Sequence, residues 1–356
     1  MNSTYKFLSI QNSNNYSNNR IIDQNFNKGN GMATSNISKN LAQVKRKSDE
    51  KSALILGITG GFGRYVALAL KEKGWKVTGV TRSLSKLDPE LKQFDILEGD
   101  ATNERYLSEI AKNHQVLVYG LNPEYHLWKT YAQAWLKTTL NVAKSNDMEV
   151  IFPANVYNYN PTQYSEVSEQ SPNDPISQKG KIRVDMENQI RVFCQSGGSA
   201  LIIRAGDFIG QYAPSAWFNF LVNMKPNKTV LQLPSDKKIK HTWAYLPDLS
   251  VVVSDLLEHR LSGEETYHYA GLNVSFEDIE NSLLRIRGLP VSTKSFPWWS
   301  LAIIGLFSPK MKAVREMRYL WQHPLKLTDE KLQLMLNKDV KCSSLDEVIE
   351  EMTKNY

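Results

Sequence analysis

The sequence predicts an α/β protein, a doubly wound parallel sheet with a smaller C-terminal substrate lobe. Three observations carry that expectation. Residues 53–56 are a short, wholly apolar run ending at Gly57, the pattern of a strand buried on both faces. Phe62, Val66, Ala69 and Leu70 then recur at helical spacing, with Gly74 placed to end the helix. Strand and helix keep alternating as far as residue 203, as right-handed βαβ crossovers require.

The later elements follow the same logic. Apolar runs place strands at 75–80, 94–97, 116–119, 150–152 and 201–203. Helical spacing fills the gaps near 103–112, 125–145 and 180–195. Beyond residue 207 the alternation weakens, with helices expected at 216–223, 247–259, 275–287 and 344–352. The last of these opens with Ser344 and Glu347 at capping-box spacing. The division expected is a disordered Asn-rich tail over 1–50, a nucleotide-binding domain over 51–210 and a mixed lobe over 211–356. Some strands and helices of that lobe return to the main sheet.

Composition narrows the function. The 356 residues carry a formal net charge of +6. Residues 1–50 hold seven Lys/Arg against three Asp/Glu, so four of those charges lie there and two remain for the rest. A basic tail on a nearly neutral body argues against a nucleic-acid-binding protein, which needs a basic face. Eleven Asn and few aliphatics in residues 1–40 bury too little apolar surface to offset ordering entropy, so the tail reads as disordered, followed by a basic patch at Lys45, Arg46 and Lys47. Two cysteines, Cys194 and Cys342, make no disulfide framework. No apolar run reaches the ~18 residues of a membrane span, and no secretory signal is evident, so a cytoplasmic location is expected. The six histidines are scattered and no cysteine pair has zinc-ligand spacing, so no metal is expected.

The strongest motif is Gly57, Thr59, Gly60, Gly61, Phe62 and Gly63, with glycines at relative positions one, four and seven between a strand and a helix. Gly57 makes the tight turn, Gly60 admits a pyrophosphate, and Gly63 lets helix pack on sheet. The orphan N–H groups at the helix start favour the anion. The pattern predicts a dinucleotide site in a Rossmann-type fold. No Asp or Glu closes the second strand, where an NAD ribose is usually held. Arg82 stands there instead, placed to meet a 2′-phosphate, with Arg64 and Lys86 nearby. NADP(H) is the expected cofactor, with NAD(H) left open.

These residues, with Gly99, Asp100 and Ala101 after the third strand, resemble the short-chain dehydrogenase/reductase superfamily. Length and the C-terminal lobe are similar to its extended or atypical branch, the NAD-dependent epimerase/dehydratase family, over about residues 52–260. The resemblance implies that Asp100 contacts adenine with Ala101 beside it. It also implies a Ser after the fifth strand and a Tyr-x-x-x-Lys pair on the next helix, which handle the proton during hydride transfer.

This chain departs at all three places. Asn155 stands where the Ser is expected, before Val156 and Tyr157. Within residues 175–183, Lys179 takes the Tyr place and Arg183 the Lys place. Arg183 is expected to hold the ribose, and Tyr157 or Lys179 to handle the proton. Two readings follow: an atypical oxidoreductase or epimerase/dehydratase acting on a small carbonyl, hydroxyl or sugar-like substrate, or a degenerate NADP(H)-binding sensor or scaffold.

Other polar residues complete the candidate site. Asn122 lies where the nicotinamide half should pass. Asp207, His241 and Tyr245 are candidate substrate contacts. Asp248 is expected near the start of its helix. Residues 316–321 read as a packing face with an internal Glu–Arg pair. The run after Trp298 and Trp299 is too short to span a bilayer and reads as a core or pocket helix. Its paired Trp beside Lys310 and Lys312 admit a peripheral membrane contact, and with it a lipid- or quinone-modifying enzyme. Family members often dimerise through paired helices, so a homodimer is also admitted.

Overall fold

The computed structural model describes residues 50–354. The expectations for the tail and for Lys45, Arg46 and Lys47 lie outside the described residues. Seven strands form one parallel sheet in the order β12-β7-β5-β4-β1-β2-β3. They are β1 (Ser52–Leu56), β2 (Lys76–Thr81), β3 (Asp95–Glu98), β4 (Val116–Tyr119), β5 (Glu149–Ala154), β7 (Ser199–Arg204) and β12 (Glu264–His268). Six of these are the strands that the apolar runs predict. The seventh, β12, comes from the C-terminal stretch and pairs with β7 at the sheet edge. Its sequence, EETYH, has no apolar run to announce it.

Alternation along each strand divides two cores. Leu54, Leu56, Leu117, Tyr119, Val150 and Phe152 face one side. Ala53, Ile55, Val116, Val118, Ile151, Leu201 and Ile203 face the other. Such two-sided burial follows from covering both faces with helices. Helices α1 (Gly61–Glu72), α2 (Glu104–Ile110), α3 (Trp128–Ser145) and α4 (Gln178–Gln195) connect the strands. Trp128, Leu136, Ile182 and Ile190 of α3 and α4 fill the first core. Phe62, Val66 and Leu70 of α1 fill the second, together with residues far along the chain.

Those distant residues belong to α6 (Leu246–Leu256), which follows the short α5 (Trp217–Leu221). Leu249, Val252, Val253 and Leu256 of α6 pack on the α1 side of the sheet. The remaining strands make three small sheets. They are β13-β11-β8 (Leu272–Val274, His241–Tyr245, Asp207–Ile209), β14-β10-β9 (Val291–Ser295, Lys228–Leu233, Val222–Lys225) and β15-β6 (Lys326–Leu327, Glu166–Val167). Helices α7 (Phe276–Arg287), α8 (Trp298–Ile304), α9 (Pro309–Glu316), α10 (Glu330–Leu336) and α11 (Leu345–Thr353) complete the chain. The capping box at Ser344 and Glu347 forms as the spacing predicts. Asp248 sits in the first turn of α6, one turn inside the Tyr245 N-cap, and accepts the Ser343 N–H at 2.6 Å.

The chain leaves β1 to build β2 and β3 on one side, then crosses to β4 on the other. At that switch point the loops after β1 and β4 part, and ligands of open α/β sheets bind there.

Candidate active site

The turn after β1 is built for close approach. Gly57 has φ +77°, and a Cβ there would lie 2.7 Å from the Gly120 carbonyl oxygen at the end of β4. A Cβ on Gly63 would lie 2.6 Å from the Gly57 oxygen. Both positions therefore require glycine, one for its dihedral angle and both for space. Gly60 caps α1 without a side chain, so the first N–H groups of that helix keep their hydrogen-bonding capacity.

A cavity of about 270 Å³ opens from Gly60, Gly61 and Phe62 at the switch point. Its far wall holds Asn122, Asn155, Tyr157, Arg183, Asp207 and Trp217. The Tyr125 and Tyr157 hydroxyls are hydrogen-bonded at 2.7 Å, and the Trp217 indole N–H donates to Tyr125 at 3.2 Å. Burial pushes the Tyr125 phenol up to about 12 and that of Tyr157 well above its ordinary range. Asn155 accepts the Tyr157 backbone N–H at 3.1 Å and so sets the turn that aims Tyr157 inward.

Arg183 is a buried cation in this wall. One guanidinium nitrogen donates to the Pro153 carbonyl, while Nε has no partner. Its plane lies over Phe152, 4.4 Å from the ring centre. Burial lowers its affinity for the proton to about 10, still well above neutral pH. Tyr119, which also lines the cavity, has a buried hydroxyl without a partner. Two orphaned polar atoms beside a glycine turn suit a polar, anionic ligand.

Residues 53–270 match the NAD dependent epimerase/dehydratase family, more than half of the chain. The chain belongs to this family. Solved structures share the fold. A putative epimerase from Burkholderia cenocepacia is 16% identical, with a TM-score of 0.69 over 85% of this chain and 97% of that one. L-threonine dehydrogenase from Clostridium difficile is 16% identical, TM-score 0.66, over 86% and 98%. A double mutant of DesIV, a dTDP-glucose 4,6-dehydratase from Streptomyces venezuelae with NAD bound, is 16% identical, TM-score 0.65, over 84% and 95%. No curated protein sequence matches the chain.

Within this epimerase/dehydratase frame, Lys179 and Arg183 part company. Arg183 faces the cavity, but Lys179 does not line it. The Lys179 ammonium is buried against Glu316, Nζ to Oε2 2.5 Å, and the other Glu316 oxygen accepts the Lys179 backbone N–H at 3.1 Å. The internal Glu–Arg pair expected in residues 316–321 gives way to this one, and Arg318 lies over the Trp298 ring instead.

Asp207 and His241 do come together, Oδ2 to Nε2 2.6 Å, because β8 pairs in parallel with β11. Asp207 lines the cavity, while His241 stands behind it, stacked on Trp321 at 4.2 Å between ring centres. Tyr245 does not line the cavity; burial raises its pKa, and the charges of Glu351 and Asp248 act in the same direction.

The residues expected on the adenosine side lie outside the cavity. Arg82 is exposed, with no ion-pair partner among the described residues. Arg64 is engaged elsewhere: it pairs with Asp88 at 2.9 Å and Glu90 at 2.5 Å and lies over Tyr212. Asp100 is exposed and accepts from the Thr102 backbone N–H and hydroxyl at 2.9 and 2.7 Å, with Ala101 buried beside it. Thr59 is exposed on the glycine turn.

Tyr125, Tyr119, Trp217 and Glu316 escaped the sequence reading as site residues. Tyr119 ends an apolar strand and Tyr125 starts a helix, and each reads as packing. Only Asn122 and Pro123, two residues before Tyr125, signalled that this loop borders the site.

Proposed function

We propose that the protein is an NADP(H)-dependent oxidoreductase or epimerase acting on a small carbonyl, hydroxyl or sugar-like substrate, with the Tyr125–Tyr157 pair handling the proton. The cavity wall carries this reading. It sets a hydrogen-bonded phenol pair, a buried cation and the glycine-turn helix start around one space. A bound nicotinamide dinucleotide supplies or accepts the hydride.

The chain's own residues then divide the work. The amides opening α1 hold the diphosphate, and Arg82 meets the 2′-phosphate with charge-assisted bonds. Asp100 and Ala101 border the adenine. Arg183, with an unpartnered Nε, reaches the ribose and Asn122 the nicotinamide side. Tyr125 accepts from Trp217, and either hydroxyl of the 2.7 Å Tyr125–Tyr157 bond can donate; in the arrangement proposed Tyr125 donates, which leaves the Tyr157 hydroxyl proton for a substrate oxygen. Phenols held above their ordinary pKa give up a proton only to a strongly basic oxygen, such as an alkoxide forming as a carbonyl is reduced. At neutral pH the phenol is therefore in the protonated form that a reduction needs. Asp207, fixed by His241, borders the same space and orients a substrate hydroxyl.

The deciding experiment is a fluorescence titration with NADPH and NADH, followed by a carbonyl and sugar-nucleotide screen. NADPH should bind more tightly than NADH, and Arg82→Ala should abolish that preference, about tenfold. Binding of neither nucleotide overturns the reading. One observation favours a cofactor-binding sensor instead: Lys179, in the position of the family's Tyr, is consumed by Glu316. Tight NADPH binding with no turnover of any substrate would select that second reading.

A further inference from the structure

Residues 281–315 contain six Lys/Arg and no Asp or Glu. Their last part, α8 and α9, forms a helical hairpin. The two helices approach closely at Gly305, where a Cβ would lie 3.3 Å from the Lys312 Cα. Trp298 and Leu301 face inward, and the Trp298 indole donates to the Pro234 carbonyl at 2.7 Å. This inner side fulfils the expected core packing. The outward side is apolar: Trp299, Leu306 and Phe307 are 72, 78 and 87% exposed, and Ile303 and Ile304 are exposed with them. The Ser308 hydroxyl caps α9 just after Leu306 and Phe307, so the tip is held outward by structure rather than left loose.

Five large apolar side chains exposed within nine residues are not an ordinary surface. Around them Lys294, Lys312, Arg315 and Arg318 are exposed and lack ion-pair partners among the described residues; Lys310 pairs with Glu124 at 2.9 Å. The exposed cations of these segments outnumber their exposed carboxylates, of which Glu124 is taken by Lys310, so the charge beside the aromatic and aliphatic tip is predominantly positive. Trp and Phe insert at the headgroup boundary while Lys and Arg meet lipid phosphates. No helix among the described residues is long and apolar enough to cross a membrane.

We infer that the α8–α9 hairpin is a foot that docks the protein on an anionic lipid bilayer. Trp299, Ile303, Leu306 and Phe307 enter the interface, and the surrounding lysines and arginines bind the surface charge. The foot stands beside the cavity: Glu316 ends α9 and holds Lys179, while Trp298 packs against Trp217, the donor to Tyr125. Docking therefore brings the site to the lipid surface. The inference does not depend on which reaction the site performs.

The test is co-sedimentation of the full chain with vesicles of phosphatidylcholine alone or with about a third phosphatidylglycerol. Partitioning should rise about tenfold with the anionic lipid and fall again at high salt. Trp299→Ser with Phe307→Ser, and separately Lys312→Glu with Arg315→Glu, should each lower it about tenfold. Both pairs are exposed, so circular dichroism should be unchanged. Bromine-labelled lipid should quench tryptophan emission in the native chain and less in Trp299→Phe. Equal binding to both vesicles, or no binding, overturns the inference. So does full binding by the variants, which would assign it to the basic N-terminal tail. A stable dimer in solution that dissociates in the Trp299→Ser, Phe307→Ser variant would also overturn it, because a second copy would then cover this face.

Discussion

The Lys179 ammonium and the Glu316 carboxylate lie 2.5 Å apart across 137 residues of sequence, with Lys179 fully enclosed. The pair joins the N-terminal turn of α4 to the end of α9 and holds Lys179 behind the cavity wall, 5.3 Å from the centre of the Tyr125 ring. Glu316→Ala leaves an ammonium buried without a partner and should cost about 2–3 kcal/mol in urea unfolding. Lys179→Met with Glu316→Leu should recover most of that loss. Failure of the double variant to recover would mean that the pair contributes more than its own charge balance.

Tyr157→Phe removes a hydroxyl from the cavity wall but keeps the ring packed near Trp128. It should lower turnover about a hundredfold or more while leaving NADPH affinity within a factor of two or so. Tyr125→Phe should lose less, since Tyr157 keeps its own proton. Equal turnover in native protein and Tyr157→Phe would remove Tyr157 from the mechanism.

Gly57→Ala forces a side chain into φ +77° and toward the Gly120 oxygen. The dihedral alone costs about 1–2 kcal/mol, and the clash must displace the loop after β4. Melting temperature and NADPH affinity should fall together. Gly74→Ala is the control: its φ is +78°, but no atom lies within contact of the added Cβ. It should lose a similar dihedral term and keep nucleotide affinity.

A buried group, His268, and a half-buried one, Glu149, set opposite pH trends. Burial holds His268 down to about 3, so the native state keeps it neutral where the unfolded chain is already protonated. Its contribution is full above about pH 6.5 and is lost as pH falls toward 3, by up to about 4 kcal/mol. Burial pushes Glu149 up to about 7, so the native state retains a proton that the unfolded chain has released. That group weakens the fold as pH rises from about 4.5 to 7. Glu149→Gln should raise the melting temperature at pH 8 and leave it unchanged at pH 4. His268→Gln should flatten the acid limb. An unaltered acid limb in His268→Gln would assign acid unfolding to other groups.

Much of the sheet was legible because parallel strands buried on both faces must be short apolar runs, as β1, β4 and β7 are. β12 was not, since an edge strand needs only one good face; its EETYH sequence looks like a loop. The glycine turn was legible for a different reason: positive φ and carbonyl contact leave only glycine sterically free, so the requirement is written in the residue type. Asp207 and His241 could be named as candidates, but their 2.6 Å bond comes from β8–β11 pairing, which local sequence does not encode.

The sequence by itself determined the Rossmann-type sheet, the glycine turn after β1, and that Asn155, Lys179 and Arg183 stand where the resemblance expects Ser, Tyr and Lys. Each of these depends on residue type and near-neighbour spacing. Tertiary structure alone decided which of the replacements reach the cavity. It turned Arg183 inward and Lys179 toward Glu316, though the two lie one helical turn apart on α4. It also set Tyr125 against Tyr157 and left Trp299 and Phe307 facing outward. The physical reason is the same in each case. A side chain's direction depends on what packs against it, and those partners lie from about thirty to more than a hundred residues away in the chain.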